Sequence, residues 1–324
     1  MIPVAEVEAA AARLEGIAVR TPLIENAELN ARAGGRVWVK PENLQRTGSF
    51  KIRGAYNLMS QLEPQRASRG VVAWSSGNHA QGVACAGGLL DIKAAIVMPE
   101  DAPRAKLDNT RRLGGEVITY DRYSGDREAI ARAVAKERGA EIVPSYDHPH
   151  IIAGQGTVGL EIAEALSELG ETPDQVLICC GGGGLTAGSA IALTSRFPEV
   201  AVHTVEPATF DDTARSIESG QRESVLKGAT SICDALLAHE PGRLTFPINL
   251  ELTGPGLSVT DDEVRDAMRF AFQQLKMVVE PGGAVALAAV LSGKVQTQDR
   301  TTVVVISGGN VDAELFSEVQ AEPK

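Results

Sequence analysis

Aromatic residues are scarce in this chain: 7 Phe, 4 Tyr and 2 Trp are 4% of 324 residues, against 33 Gly. Aliphatic strands and backbone-rich loops are therefore expected. Basic residues are outnumbered, 31 to 42, giving a net charge of −11. That balance argues against a nucleic-acid partner, which needs a basic face. Four cysteines are too few to staple a chain of this length, so no disulfide framework is expected. No uninterrupted apolar run reaches the ~18 residues of a membrane span. The opening Met1-Ile2-Pro3-Val4-Ala5-Glu6 lacks the basic and apolar regions of a signal peptide. A soluble cytoplasmic protein without membrane partners is the expectation. There is no internal repeat, low-complexity tract or long linker.

What is present is ordinary globular material, 44% apolar and 23% charged, which excludes bulk disorder. At about 150 residues per domain the chain should hold two. Val4, Val7, Ala11 and Leu14 recur at helical spacing. Apolar runs then alternate with helical stretches. Strands are predicted at Val71–Trp74, Ala94–Met98, Glu116–Tyr120, Gln175–Cys180, Val200–Val205 and Thr302–Ile306. Helices are predicted over Gln81–Leu90, Asp126–Arg138 and Asp261–Leu275, the last opened by a Thr260/Glu263 capping box. Continuous apolar strands alternating with helices imply an α/β protein with parallel sheets covered on both faces. Ligands in such folds sit beyond the carboxyl ends of the strands.

Four segments at such places carry chemistry. Lys40 to Ala55 includes the turn Thr47-Gly48-Ser49 and a helix beginning near Phe50 and Lys51. The helix dipole and the Arg53 cation should lower the Lys51 pKa and favour the nucleophilic free amine. A lone lysine is more often simply solvated. After the Val71–Trp74 strand, Ser75-Ser76-Gly77-Asn78-His79 offers backbone N–H groups for a carboxylate, with Asn78 able to donate to a phenolate-like oxygen. The bland alternative is a plain strand–helix connection. His79 is read as structural in the first helical turn. Gly181-Gly182-Gly183-Gly184 follows a strand and suits a phosphate, but is neither a P-loop nor a dinucleotide fingerprint. Cys179 and Cys180 lack metal or redox spacing and most simply end the strand. Ser307-Gly308-Gly309-Asn310 follows the last strand and could be an ordinary turn. Glu206, Phe210, Asp211 and Asp212 offer hard oxygens, although paired acids usually line a solvated loop.

From about Thr21 to Asp312 these segments closely resemble the fold-type II pyridoxal-phosphate enzymes: threonine/serine dehydratases, serine racemase and hydroxyaspartate dehydratases. The resemblance implies the tryptophan synthase beta-like fold, two open twisted and mostly parallel sheets flanked by helices with the active site between the lobes. It divides the chain into a large cofactor-binding domain, 1–60 and 146–324, and a small mobile domain holding the substrate carboxylate, 61–145. It makes Lys51 the lysine that joins the cofactor covalently, beside Phe50, and gives the ring oxygen to Asn78. Gly181, Gly182, Gly183 and Gly184 become the phosphate cup, and Ser307 the partner of the pyridine nitrogen. Ser75, Ser76, Gly77, Asn78 and His79 would hold the substrate carboxylate. Many threonine dehydratases carry Ala where Ser76 stands, whereas serine racemase has Ser as the acid/base opposite the lysine. Glu206, the Phe210 carbonyl and Asp212 match a Mg²⁺ or Ca²⁺ site of serine racemase-like members.

A serine hydroxyl makes the ring a weaker electron sink than an aspartate would, which suits β-elimination. The implied activity is that of a threonine/serine ammonia-lyase acting on a small amino acid, in a homodimer or other homo-oligomer. Serine racemase and 3-hydroxyaspartate dehydratase are the alternatives on the same scaffold. A non-catalytic amino-acid-binding protein is the rival of another class; intact Lys51, Asn78, glycine run and Ser307 argue against it. Ser231 to Leu237 departs from the dehydratase Ala-Asp-Gly pattern, keeping only Asp234, which leaves side-chain specificity open. Only Val311 to Lys324 follows the serine turn, so no isoleucine-sensing domain and no isoleucine feedback are expected.

Overall fold

A computed structural model describes residues 2–75, 77–102, 104–121 and 125–321. Its strands, in chain order, are β1 (Ile24–Glu25), β2 (Arg36–Pro41), β3 (Val71–Trp74), β4 (Ala94–Pro99), β5 (Glu116–Tyr120), β6 (Glu141–Ile142), β7 (Gln175–Cys179), β8 (Ala201–Pro207), β9 (Leu257–Val259) and β10 (Thr301–Ile306). They form a six-stranded sheet ordered β1-β2-β10-β7-β8-β9 and a four-stranded sheet ordered β5-β4-β3-β6. Every pairing is parallel except β1 with β2. The α/β expectation therefore holds, with two mostly parallel sheets.

Burial explains the order. The Val-rich β10 and the β7 run are buried along nearly their whole length and lie centrally, covered on both faces. In the small sheet β4 is wholly buried, while β5 is half exposed and forms an edge. The helix Pro281–Leu291 is apolar all round, so it is buried against the large sheet rather than exposed.

The helix Lys51–Met59 joins the two halves of the fold. It packs against the helix Asn78–Leu90 on one side and the helix Pro149–Leu169 on the other. Glycines make this close approach feasible. A methyl group on Gly154 would lie 2.5 Å from the Arg53 carbonyl, and one on Gly82 would lie 3.0 Å from the Lys51 carbonyl carbon. Beneath the helix, buried Arg53 pairs with Glu42 at 2.8 Å and Glu161 at 2.6 Å, and Lys40 pairs with Glu161 at 2.5 Å. Two cations thus meet two carboxylates, and breaking either set would strand a buried charge.

One predicted helix ends differently. From Asp261 it is α-helical only to Phe270; Ala271–Leu275 widen into a π turn. Lys276 then takes a left-handed conformation, and the N–H groups of Lys276 and Met277 both reach the Ala271 carbonyl. The wider turn satisfies carbonyls that an abrupt α-end would expose. Among the described residues no helix is long and apolar enough to cross a membrane.

Candidate active site

Lys51 opens its helix where the two sheets meet. The Phe50 N–H donates to the Ser307 carbonyl at 3.2 Å, and Ser49 bridges Gly308, so the lysine turn is stitched to the end of β10. Lys51 Nζ donates to the Ser145 carbonyl at 2.9 Å, and Gln155 Nε2 reaches the same oxygen at 3.0 Å. Burial lowers the Lys51 pKa to about 8, partly opposed by Cys179 and Glu280. The Arg53 cation, expected from the sequence to lower it, is not among the causes. Arg53 is enclosed by Glu42 and Glu161, so its charge is compensated and desolvation is the main cause.

The asparagine loop follows β3. The Ser75 N–H donates to Val97 and Ser75 Oγ accepts from the Gly77 N–H at 3.2 Å. Ser76 lies outside the described residues. Asn78 begins the next helix, and both ends of its carboxamide are engaged. Its Nδ2 donates to Glu280 Oε1 at 2.5 Å, and its Oδ1 accepts from Asn310 Nδ2 at 2.7 Å. The His79 ring contacts the Val143 carbonyl at 2.8 Å, and burial followed by Lys51 lowers its pKa to about 3. The ring is therefore neutral and turned to the backbone.

The glycine run follows β7 and leads into the helix Gly184–Arg196. Gly183 has φ +88°, a conformation that suits glycine. A methyl group on Gly182 would meet the Tyr146 ring at 2.3 Å, and one on Gly184 would meet Gln155 Oε1 at 2.5 Å. Gly181 abuts Leu236 in the short helix Asp234–Leu236, the segment with the altered sequence pattern. Ser307 is buried beside Cys179, whose thiol burial pushes up to about 11 with the Ser307 hydrogen bond opposing. All four cysteines are free and buried.

The acidic pair has another use here. Glu206 accepts from the N–H groups of Thr213 at 3.0 Å and Ala214 at 2.8 Å, capping the helix Asp212–Ser219 with both oxygens. Phe210 is buried, and its N–H donates to the Pro207 carbonyl. Asp212 Oδ2 is buried without a hydrogen-bond partner, and burial raises that carboxyl to about 7. Among the described residues no three His, Cys, Asp or Glu side chains gather as a metal-ligand group.

Two groups escaped the sequence reading. Glu280 is buried and pushed up to about 7 by desolvation. Its available signal was an acid placed directly before the all-apolar Pro281–Leu291 run. Lys106 reaches Asp234 at 3.1 Å and Asp312 at 3.7 Å, linking the small-sheet side to the large-sheet side. No local pattern marked it.

Residues 14–308 match the family described as "Pyridoxal-phosphate dependent enzyme". The chain belongs to that family. A pyridoxal-phosphate family relative, the L-threo-3-hydroxyaspartate ammonia-lyase of a Pseudomonas species, is 44% identical over 308 residues, 95% of each chain. The crystal structure of a threonine deaminase from T.th. superposes with TM-score 0.90 at 40% identity, covering 96% of this chain and 99% of that one. Maize serine racemase gives TM-score 0.92 at 35% identity, covering 98% and 96%. Both share this fold, the fold-type II arrangement.

The residues present fit pyridoxal phosphate. The glycine run forms a cradle that methyl groups would fill, at the amino end of a helix suited to an anion. Polar donors shape its far side: Asn249 Nδ2 donates to the Gly183 carbonyl at 3.3 Å and Thr245 Oγ1 to the Gly182 carbonyl at 2.6 Å. The Lys51 side chain is half-buried and its amine carries a lowered pKa, as carbonyl chemistry requires.

Proposed function

We propose that this protein is a pyridoxal-phosphate-dependent ammonia-lyase that converts L-threonine, L-serine or both to 2-oxobutanoate or pyruvate plus ammonia. The observation that carries the reading is the half-buried Lys51 amine, stitched to Ser307 through Phe50 and linked to the glycine cradle by Gln155, which shares the Ser145 carbonyl with it and borders Gly184. Lys51 would bind the cofactor, Asn78 its ring oxygen, Gly181 to Gly184 its phosphate and Ser307 its pyridine nitrogen. The cofactor supplies an electron sink when bound. The N–H groups of the 75–79 loop hold the substrate carboxylate and orient the Cα–H bond. The Lys51 amine takes the Cα proton, and the β-hydroxyl departs with a proton as water. The released enamine hydrolyses to the keto acid and ammonia. Ser76 is the candidate proton carrier on the opposite face, which would add racemisation.

The acids at the cleft favour a substrate side chain without a second carboxylate. Glu280, Asp234 and Asp312 surround Lys106, so its positive charge is already matched. The 44% identical Pseudomonas relative favours a second reading, elimination from 3-hydroxyaspartate. No cation is assigned: each Glu206 oxygen accepts one helix amide, and Asp212 Oδ2 is the carboxylate oxygen of the pair without a hydrogen-bond partner. A cytoplasmic homo-oligomer is part of the proposal; exposed Leu44 and Val278, on segments joined by the Asn43–Val278 hydrogen bond, are available for a second copy to cover.

Keto-acid and ammonia release from L-threonine, L-serine, D-serine and the 3-hydroxyaspartate diastereomers tests this reading. Highest kcat/KM for L-threonine or L-serine is expected. Preference for 3-hydroxyaspartate would move the assignment to the second reading, and no keto acid from any of them would defeat both.

A further inference from the structure

Glu280 holds a central place in the cleft that the proposed chemistry does not use. It stands before Pro281 at the start of a buried helix, and its N–H donates to the Gly308 carbonyl at 3.1 Å. A methyl group on Gly308 would lie 2.2 Å from Glu280 Oε1, so that glycine leaves the space the carboxylate fills. The same oxygen accepts from Asn78 Nδ2 at 2.5 Å. On the other side, Asn310 Nδ2 donates both to Asn78 Oδ1 at 2.7 Å and to the Thr47 carbonyl at 2.8 Å. The Asn78 carboxamide is therefore gripped at both ends. Asn310 Nδ2 can only donate, so it holds Asn78 Oδ1 on its side and turns Nδ2 to Glu280; above its raised pKa of about 7 that carboxylate only accepts, and one Asn78 N–H is left for another partner. The charged and titratable neighbours of Glu280 are Lys106, Asp234, Lys51 and Cys179.

We propose that Glu280 is a positioning residue, fixing the Asn78 carboxamide so that its second N–H serves the cofactor ring oxygen. In the same contact it fastens the asparagine loop of the small sheet to the serine end of the large one. This rests on the role given to Asn78 above. Glu280 touches neither substrate nor the reacting atoms in this account and acts through Asn78.

The test is a double-mutant cycle on the full-length holoprotein, read by the cofactor dissociation constant and by the visible band of lysine-bound cofactor across pH. Glu280→Ala is expected to weaken cofactor binding about tenfold, as for loss of a hydrogen bond to a charged group. Glu280→Gln keeps an acceptor and should hold the loss to about threefold while shifting the pH profile of the band. Asn78→Ala should weaken binding, and adding Glu280→Ala to it should cost nothing further. If Glu280→Ala does not fold, Glu280→Asp takes its place in the cycle, since its shorter side chain draws the acceptor away from Asn78. Losses that multiply in the double variant would overturn the positioning role, as would a glutamine variant no better than alanine. If Asn78→Ala alone leaves affinity and spectrum unchanged, the assignment of Asn78 itself fails, and the role of Glu280 falls with it.

Discussion

Lys51 meets two conflicting demands, because the burial that frees its amine for chemistry also penalises its charged form. Its folded pKa of about 8 lies below the ordinary lysine value. Below pH 8 both folded and unfolded chains carry the proton, so the full cost of the buried ammonium is present. That cost is relieved as pH rises from about 8 toward the ordinary value, where only the unfolded chain is protonated. The cofactor-free Lys51→Met variant should accordingly be more stable than the parent at pH 7, by roughly 1–3 kcal/mol, with the gap narrowing toward pH 10. Urea unfolding at the two pH values measures it; a variant less stable at pH 7 would contradict the burial account. The same variant should release no keto acid. Ser307 invites the opposite change. Ser307→Asp should strengthen the electron sink and shift products from elimination toward racemisation or transamination. Chiral analysis of unreacted serine reads this out, and an unchanged product ratio with cofactor bound would refute it.

At the scale of elements, the glycine run depends on what leans against it. Gly182→Ala places a methyl group 2.3 Å from the Tyr146 ring, so the ring or the loop must move. Overpacking of about 1–3 kcal/mol is the expected cost, seen as a ten- to hundredfold weaker cofactor affinity, about tenfold per 1.4 kcal/mol. Fluorescence titration with pyridoxal phosphate checks it, and unaltered affinity would mean that Tyr146 does not shape the cradle. This run was legible in the sequence because its glycines are contiguous and follow an apolar strand. The lysine turn and the asparagine loop were legible for the same reason, each being one short segment. Tyr146, Gln155 and Glu280 were not, since folding brings them in from 35 or more residues away in the chain from Gly182, Lys51 and Asn78 respectively, and no local pattern marks them. Arg53 was seen as a cation, but only the fold supplies Glu42 and Glu161 to neutralise it. Glu206 and Asp212 were legible as a pair of acids, but that Glu206 also caps the helix beginning at Asp212 was not.

For the whole molecule, two parallel sheets bring the lysine turn, the asparagine loop, the glycine run and the serine strand end toward one cleft. Contacts cross it at Asn78–Glu280 and Lys106–Asp234, so the halves are joined by polar links that can exchange partners, beside the packed helix Lys51–Met59. The account stands on Lys51 being the residue that holds the cofactor in this arrangement. Reducing the cofactor-loaded protein with borohydride, digesting it and mapping the modified peptide by mass spectrometry tests that most directly. The account predicts a single reduced pyridoxyl adduct on Lys51, absent from Lys51→Met; an adduct on another lysine, or none after cofactor loading, would contradict it.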